Sequence, residues 1–375
     1  MKKLLLISLT LLVITGIILS GCAKAPAPAP APTPTPAPAP APAPAPVKPI
    51  KLIFGFFGPE QDAYAAGFKF WADDLKARSN GKVEVEFSWA SALGPAPTFY
   101  DMVLKGVCDI ACVAPGFTPG LFPMADIPTM PWTAVTSEQC AKASSNLLKK
   151  GYLDKELADV KPLFITNSPG EVLLTVSKPV TTLKDMQGEK LELSRPMLQN
   201  RMSLMGAVPV KFPGPMDIYP ALQKGIVDGS VTNIAVASSL KWMDFIKYAT
   251  EPPMGAGMMF VVMGKGSYNK LPADIKAIID EMSGKDIDKY ILYEAKNLDG
   301  LNDSLTKSFL ASGGRIVQWT PDTLAKMNEL FAPQWKAWLA DSDAKGLPMS
   351  KAVSEHYRFM KEDLGISNPA IGYTP

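Results

Sequence analysis

Few residues in this chain are equipped for chemistry, and that scarcity narrows what the chain can do. Only one histidine, His356, occurs in 375 residues, and it lies near the C-terminus among charged neighbours. No Ser-His-Asp or Cys-His arrangement can be built elsewhere, and no histidine cluster can hold zinc. A phosphate-cradling G-x-x-x-x-G-K-[ST] loop is absent as well. Paired carboxylates such as Glu171 and Glu192 could do acid–base work if they faced one cleft, but nothing in their spacing singles them out. The four cysteines divide into Cys22, which closes the N-terminal run Leu19-Ser20-Gly21-Cys22, and three others. Cys108 and Cys112 share a face of an apolar stretch but sit too far apart to bond readily, so they read as small buried residues. With Cys140 they make an odd set, and no disulfide is predicted. These residues call for no catalytic group, no metal centre and no cofactor.

Cys22 has a context of its own. Lys2 and Lys3 precede an apolar stretch, Leu4 to Leu19, that is short for a membrane span. Small residues before the cysteine suit processing, and the pattern resembles a bacterial lipoprotein signal, in which the cysteine is acylated and becomes the mature N-terminus. Residues 1–22 are then a signal with its lipobox, and Cys22 ties the chain to a lipid bilayer. From Ala25 to Pro46 only Ala, Pro and Thr occur. Such a tract cannot bury apolar surface, and each proline fixes φ near the polyproline II value. Residues 23–48 thus form a stiff tether reaching roughly 80 Å at ~3.1 Å per residue. The expected location is the extracytoplasmic face of the cell envelope.

The remainder must supply the structure. Residues 49–375 are enough for two α/β lobes at ~100–200 residues each. Lys and Arg number 38 against 36 Asp and Glu, so nothing points to nucleic acid or an acidic polymer. Ile50 to Phe56 suits a buried strand. Tyr64, Phe68, Trp71 and Leu75 fall on one helical face, and Val83, Val85, Phe87 and Trp89 alternate with polar residues at strand period. That β-α-β order signals a mainly parallel sheet. The chain also echoes itself: Tyr100, Lys105, Gly106 and Asp109 recur as Tyr219, Lys224, Gly225 and Asp228 at identical spacing. Each set predicts a helix ended by glycine and followed by a short apolar strand, hence two similar lobes. Met258 to Met263 is a further buried strand. Leu271 to Leu310 reads as one long amphipathic helix begun at Pro272, with Gly284 and Gly300 as candidate interruptions, and could serve as a spine.

Three segments together carry a family likeness. They are Thr182-Leu183-Lys184-Asp185-Met186-Gln187-Gly188-Glu189-Lys190-Leu191, Tyr219-Pro220-Ala221-Leu222-Gln223-Lys224-Gly225 and Val227-Asp228-Gly229. In that order and spacing the chain resembles the substrate-binding proteins of TRAP transporters, the DctP-type receptors, over about Ile50 to Met360. The resemblance implies a two-lobed periplasmic-binding-protein-like α/β fold with crossing strands and a long spine helix. Lobe I would take about 49–168 and 258–297, lobe II about 169–257 and 298–345, with C-terminal helices to 375. It also implies capture of a small organic solute between the lobes and delivery to a TRAP-type membrane permease driven by a sodium gradient. An enzyme with paired carboxylates and a solute sensor for a signalling partner are the competing classes.

The departures from the family concern the ligand. Where members usually carry a carboxylate-clamping arginine after Gly-x-Lys-Leu, this chain has Glu192, and the nearest arginine is Arg195. A second family arginine falls near Leu173. The family asparagine maps to Thr232, or with a one-residue slip to Asn233. Three arrangements stay open: Glu192 is exposed or paired with Arg195, Arg195 is a displaced clamp, or Glu192 meets a cationic group or metal ion. Among Phe56, Phe57, Trp89, Phe117, Trp132 and Trp242, near strand ends, Phe57 and Trp89 are the preferred pocket walls, because ligands bind beyond the carboxyl ends of strands in open α/β sheets. The site expected from sequence is therefore Phe57, Trp89, Leu173, Glu192, Arg195, Thr232 and Asn233. It suits a monocarboxylate with an apolar body, or a neutral or amine-bearing solute.

Overall fold

The computed structural model describes residues 48–193 and 195–375; the signal, Cys22 and the tether up to residue 47 lie outside the described residues. The chain opens with β1 (Ile50–Gly55), α1 (Ala65–Arg78), β2 (Val83–Ser88), α2 (Phe99–Lys105), β3 (Ile110–Val113), α3 (Ser137–Lys149) and β4 (Val160–Asn167). It then forms β5 (Val172–Thr175), α4 (Leu183–Met186), β6 (Lys190–Glu192), α5 (Pro196–Leu204), β7 (Val208–Val210), α6 (Ile218–Gln223), β8 (Gly229–Thr232), α7 (Ile234–Ser239) and β9 (Tyr248–Glu251). The last part holds β10 (Met258–Gly264), α8 (Lys265–Lys270), α9 (Ala273–Ser283), α10 (Ile287–Ala311), β11 (Arg315–Gln318), α11 (Pro321–Ala344) and α12 (Met349–Arg358).

Two sheets result, ordered β2-β1-β3-β10-β4 and β11-β9-β5-β8-β6-β7. In the first, β1 pairs in parallel with β2 and β3, while β10 runs antiparallel between β3 and β4. The second repeats this plan: β6 is parallel to β7 and β8, and β5 runs antiparallel between β8 and β9. Each antiparallel strand is delivered from the other lobe. Residues 168–171 lead from β4 into β5, and residues 252–257 lead from β9 into β10.

The sequence echo has a physical basis. Gly106 and Gly225 end α2 and α6 with φ of 72° and 64°, the left-handed region that glycine enters without steric cost. The aspartate three residues later docks each returning strand. Asp109 Oδ2 accepts from the Ile53 N–H at 2.8 Å, and Asp228 Oδ2 accepts from the Lys190 N–H at 2.9 Å. Both bonds set the start of β3 and β8 against β1 and β6.

The helical face predicted for α1 is buried, with Phe68, Trp71 and Leu75 inaccessible and Tyr64 nearly so. The single long helix expected from Leu271 to Leu310 is corrected: the chain breaks at Gly284, giving α9 and α10. A Cβ at Gly284 would lie 2.8 Å from the Asp280 carbonyl oxygen, so this sharp turn needs glycine. Gly300 causes no break, and α10 runs through it. The spine is thus α10 alone, packed on α1, α3 and β4 of one lobe and on α7 and β11 of the other. At the C-terminus the chain returns to the first lobe, where Ala370 bridges Trp132 and the Ile371 carbonyl accepts from Trp335 Nε1 at 3.0 Å. Cys108, Cys112 and Cys140 are buried and free. No helix among the described residues is long and apolar enough to cross a membrane.

Candidate ligand-binding site

The two crossing segments lie side by side and form the floor between the lobes. Ser168 N–H donates to the Gly257 carbonyl at 3.0 Å, Glu171 N–H to Gly255 at 2.8 Å, and Met254 N–H to Glu171 at 2.9 Å. Over this floor opens a cavity of about 940 Å³, counting its mouth. The first lobe contributes Phe56, Phe57, Asp62, Tyr64, Ala114 and Phe117 to its wall. The second contributes Glu192, Arg195, Phe212, Val231, Thr232, Asn233 and Trp242, and the floor supplies Glu171, Gly257, Met258 and Met259.

Strand ends place the polar groups. Glu192 is the last residue of β6, in register with Ser230 on β8, whose hydroxyl donates to Glu192 Oε2 at 2.7 Å. Pro196 opens α5 and biases the preceding residue toward extended backbone. Arg195 accordingly sits at φ −96°, ψ 128°. Its guanidinium pairs with Glu171 of the floor, both side chains being nearly buried. A Cβ at Gly257 would come within 3.1 Å of Glu171 Oε1 and 3.5 Å of Arg195 Nη1, so bare backbone is what lets the second crossing segment pass this pair.

Electrostatics follow burial. Desolvation pushes the Glu192 carboxyl up to about 7, with the Ser230 bond and nearby Arg195 drawing it back. Burial raises Asp62 to about 6 against a bond from the Tyr64 N–H. Asp126, beyond the wall, is raised to about 6 by burial, with Arg195 opposing. A second arginine, Arg201 on α5, is fully buried and donates to the carbonyls of Met254 and Thr129 at 2.7 and 2.8 Å. It fastens the second lobe to the floor and to the first lobe. Burial lowers it to about 9, and Arg195 adds to the effect.

Of the residues expected from sequence, Phe57, Glu192, Arg195, Thr232 and Asn233 lie in this wall. Two placements are corrected. Leu173 is fully buried in the middle of β5, between β8 and β9, where the sheet leaves it no path to the cavity. Trp89 follows β2 and stacks on Phe87 at 4.8 Å, under the Lys69 ammonium, with an edge-on contact to Phe56, and is outside the cavity wall. Of the three arrangements left open for Glu192, the exposed or Arg195-paired one is not met: its hydrogen bond is to Ser230 and it is 7% exposed. Asp62 and Glu171 escaped the expected set. Asp62 stands in the loop after β1, where the strand-end rule points, and Glu171 stands in the strand crossing, which no local period marks. Among the described residues no group of three His, Cys, Asp or Glu side chains could hold a metal ion.

Two lobes of like topology, joined by paired crossings and a shared helix around an aromatic cavity, define a solute receptor of the binding-protein class. The chain belongs to the family described as bacterial extracellular solute-binding protein, family 7 (DctP), matched over residues 54–341, and so is a substrate-binding protein of the TRAP-transporter type. Members of this family are extracytoplasmic receptors rather than enzymes.

A marine-metagenome TRAP solute-binding protein specific for aromatic acid ligands, solved with 3-hydroxybenzoate, matches with a TM-score of 0.77 at 26% identity, over 84% of this chain and 98% of that one. A TRAP receptor from Rhodoferax ferrireducens T118, solved with copurified benzoate, shares the fold with a TM-score of 0.75 at 23% identity, over 84% and 99%. A solute-binding protein of Sulfitobacter sp. strain NAS-14.1 is 23% identical over 300 residues, 77% of this chain and 86% of that protein. The ectoine-binding periplasmic protein TeaA of Halomonas elongata is 27% identical over 180 residues, 46% of this chain and 50% of that protein.

Proposed function

We propose that this receptor, held to a membrane by an acylated Cys22, closes on a small organic solute and presents it to a TRAP-type permease coupled to a sodium gradient. The observation that carries this reading is the interlobe cavity itself, walled by aromatic rings and holding a single guanidinium. Phe57 packs edge-on against Phe117 at 5.3 Å and lies 4.6 Å from Phe56, giving a stiff apolar surface for a ligand body. Related receptors solved with 3-hydroxybenzoate or benzoate fit a ring-sized occupant. The solute expected here is a monocarboxylate with an apolar body, or a neutral or amine-bearing molecule. Binding free energy drives lobe closure, and the closed form is what a permease recognises.

Mass spectrometry of solute retained by gently purified protein tests the reading. Small-angle scattering with that solute should show a smaller radius of gyration. An unchanged radius at saturation would mean a rigid scaffold and would sink the closure mechanism.

A further inference from the structure

Three carboxyls and one guanidinium bear on the cavity in a lopsided balance: Asp62, Glu171 and Glu192 against Arg195. Arg195 is already committed to Glu171. That leaves one carboxyl from each lobe without a cation. Glu192 has the Ser230 hydroxyl on one oxygen, and Asp62 has the Tyr64 backbone N–H at 3.1 Å. Neither contact neutralises charge, and an unpaired buried carboxylate is strongly disfavoured. Both residues follow the first parallel strand of their lobe toward its helix: Glu192 ends β6 before α5, and Asp62 stands in the loop between β1 and α1.

The wall also holds two donors without a partner. Asn233 Nδ2 and Trp242 Nε1 are buried donors with no acceptor in the protein, in side chains only 1% and 4% exposed. Both residues line the cavity.

We propose that the solute carries a positively charged nitrogen that Glu192 and Asp62 seat from opposite lobes, leaving its acceptor oxygens for Asn233 and Trp242. This rests on the receptor reading above and chooses the amine-bearing class within it. Lobe closure then brings the second carboxyl onto a cation that the first has captured. The groups facing Glu192 are Arg195 and Glu171. Those around Asp62 are Tyr64, Cys112 and Glu294. Arg195, the single cation of the two sets, is taken by Glu171. In the empty cavity Glu192 and Asp62 keep protons up to about 7 and about 6. A bound cation favours both carboxylates, so capture releases protons to water.

Three probes sharing one ring test this on the purified protein: benzylamine, 4-(aminomethyl)benzoate and benzoate. Calorimetry at about pH 8 should show the two amines binding at least about tenfold tighter than benzoate, with both weakening at least about tenfold near pH 5.5. Near pH 6.5, where the empty cavity still holds part of its protons on Glu192 and Asp62, the heats should vary with buffer ionisation enthalpy, as proton release requires. Glu192→Gln should cost the amines at least about tenfold while leaving benzoate equal or tighter. Asp62→Asn should act in the same direction, and serves alone if the first variant melts abnormally. Benzoate binding as tightly as benzylamine, amine affinity untouched by both variants, or binding by none of the probes overturns the cation seat. A retained solute that lacks a basic nitrogen also overturns it but leaves the receptor standing. Only a protein that retains no solute and binds no probe brings down both.

Discussion

Arg195 reaches back to Glu171, in the crossing segment, and not to Glu192, three residues before it on the same lobe. One ion pair thus ties the start of α5 to the floor of the cavity, and the carboxyl at the end of β6 is left to whatever enters. Removing one partner of a buried pair leaves an uncompensated charge, which costs about 3–5 kcal/mol. Arg195→Ala should therefore lower stability by about that much in urea unfolding. The double variant Arg195→Ala/Glu171→Ala should recover part of the loss. A double-variant loss equal to the sum of the two single losses would mean that the two residues are not coupled.

A dicarboxylate meets the opposite problem. Placing one of its charges ~4 Å from an ionised Glu192 costs about 4 kcal/mol at an effective dielectric of ~20. That is roughly a thousandfold in affinity. Burial holds Glu192 to about 7, so near neutral pH a proton relieves most of that penalty, and succinate, malate and sialic acid should instead weaken by more than about tenfold between pH 7 and 9. Succinate affinity unchanged between pH 7 and 9 would show that Glu192 does not face the ligand.

The ligand-free protein should lose stability as pH rises through the range in which Glu192 ionises. In the unfolded chain this carboxyl titrates near 4.5, and in the folded protein burial holds it to about 7. Across that window the folded state keeps a proton that the unfolded state has lost, so this group's contribution falls with rising pH. Urea midpoints measured between about pH 5 and 8 should decline less for Glu192→Gln than for the wild type. Parallel curves would mean that Glu192 is solvated.

Cys22→Ser should release the protein from membranes and leave its folded domain intact. The motive is the Leu19-Ser20-Gly21-Cys22 run before a tether that has too few apolar side chains to hold a bilayer. Fractionation with labelled palmitate is the measurement. Wild-type protein that takes up no label, together with a variant still held by the membrane, would rule out the lipid anchor.

How much was legible in advance depended on the range of the interaction. The strand period of Val83 to Phe87, the apolar face of α1, and the Gly106/Asp109 and Gly225/Asp228 echoes are local signals. Each acts over a few residues through backbone geometry, so the chain alone determined two α/β units of like plan. The two glycines of the predicted spine helix differ for the same reason. Gly284 breaks its helix because its own turn crowds a Cβ, whereas Gly300 meets nothing within 4 Å and is carried through.

The site was another matter. Sequence placed Phe57, Glu192, Arg195, Thr232 and Asn233 at strand ends that the fold gathers into one wall, but it also proposed Leu173 and Trp89. Whether a strand residue faces a cleft or a sheet core depends on its neighbours in other strands. For Leu173 those are β8 and β9, more than 50 residues away. The ion-pair partner was beyond sequence for a like reason. Arg195 had Glu192 near in the chain and Glu171 near in space, and only the strand crossing brought Glu171 within reach. Charge pairing is decided by distances of a few ångströms and by burial, and both are set by tertiary structure alone.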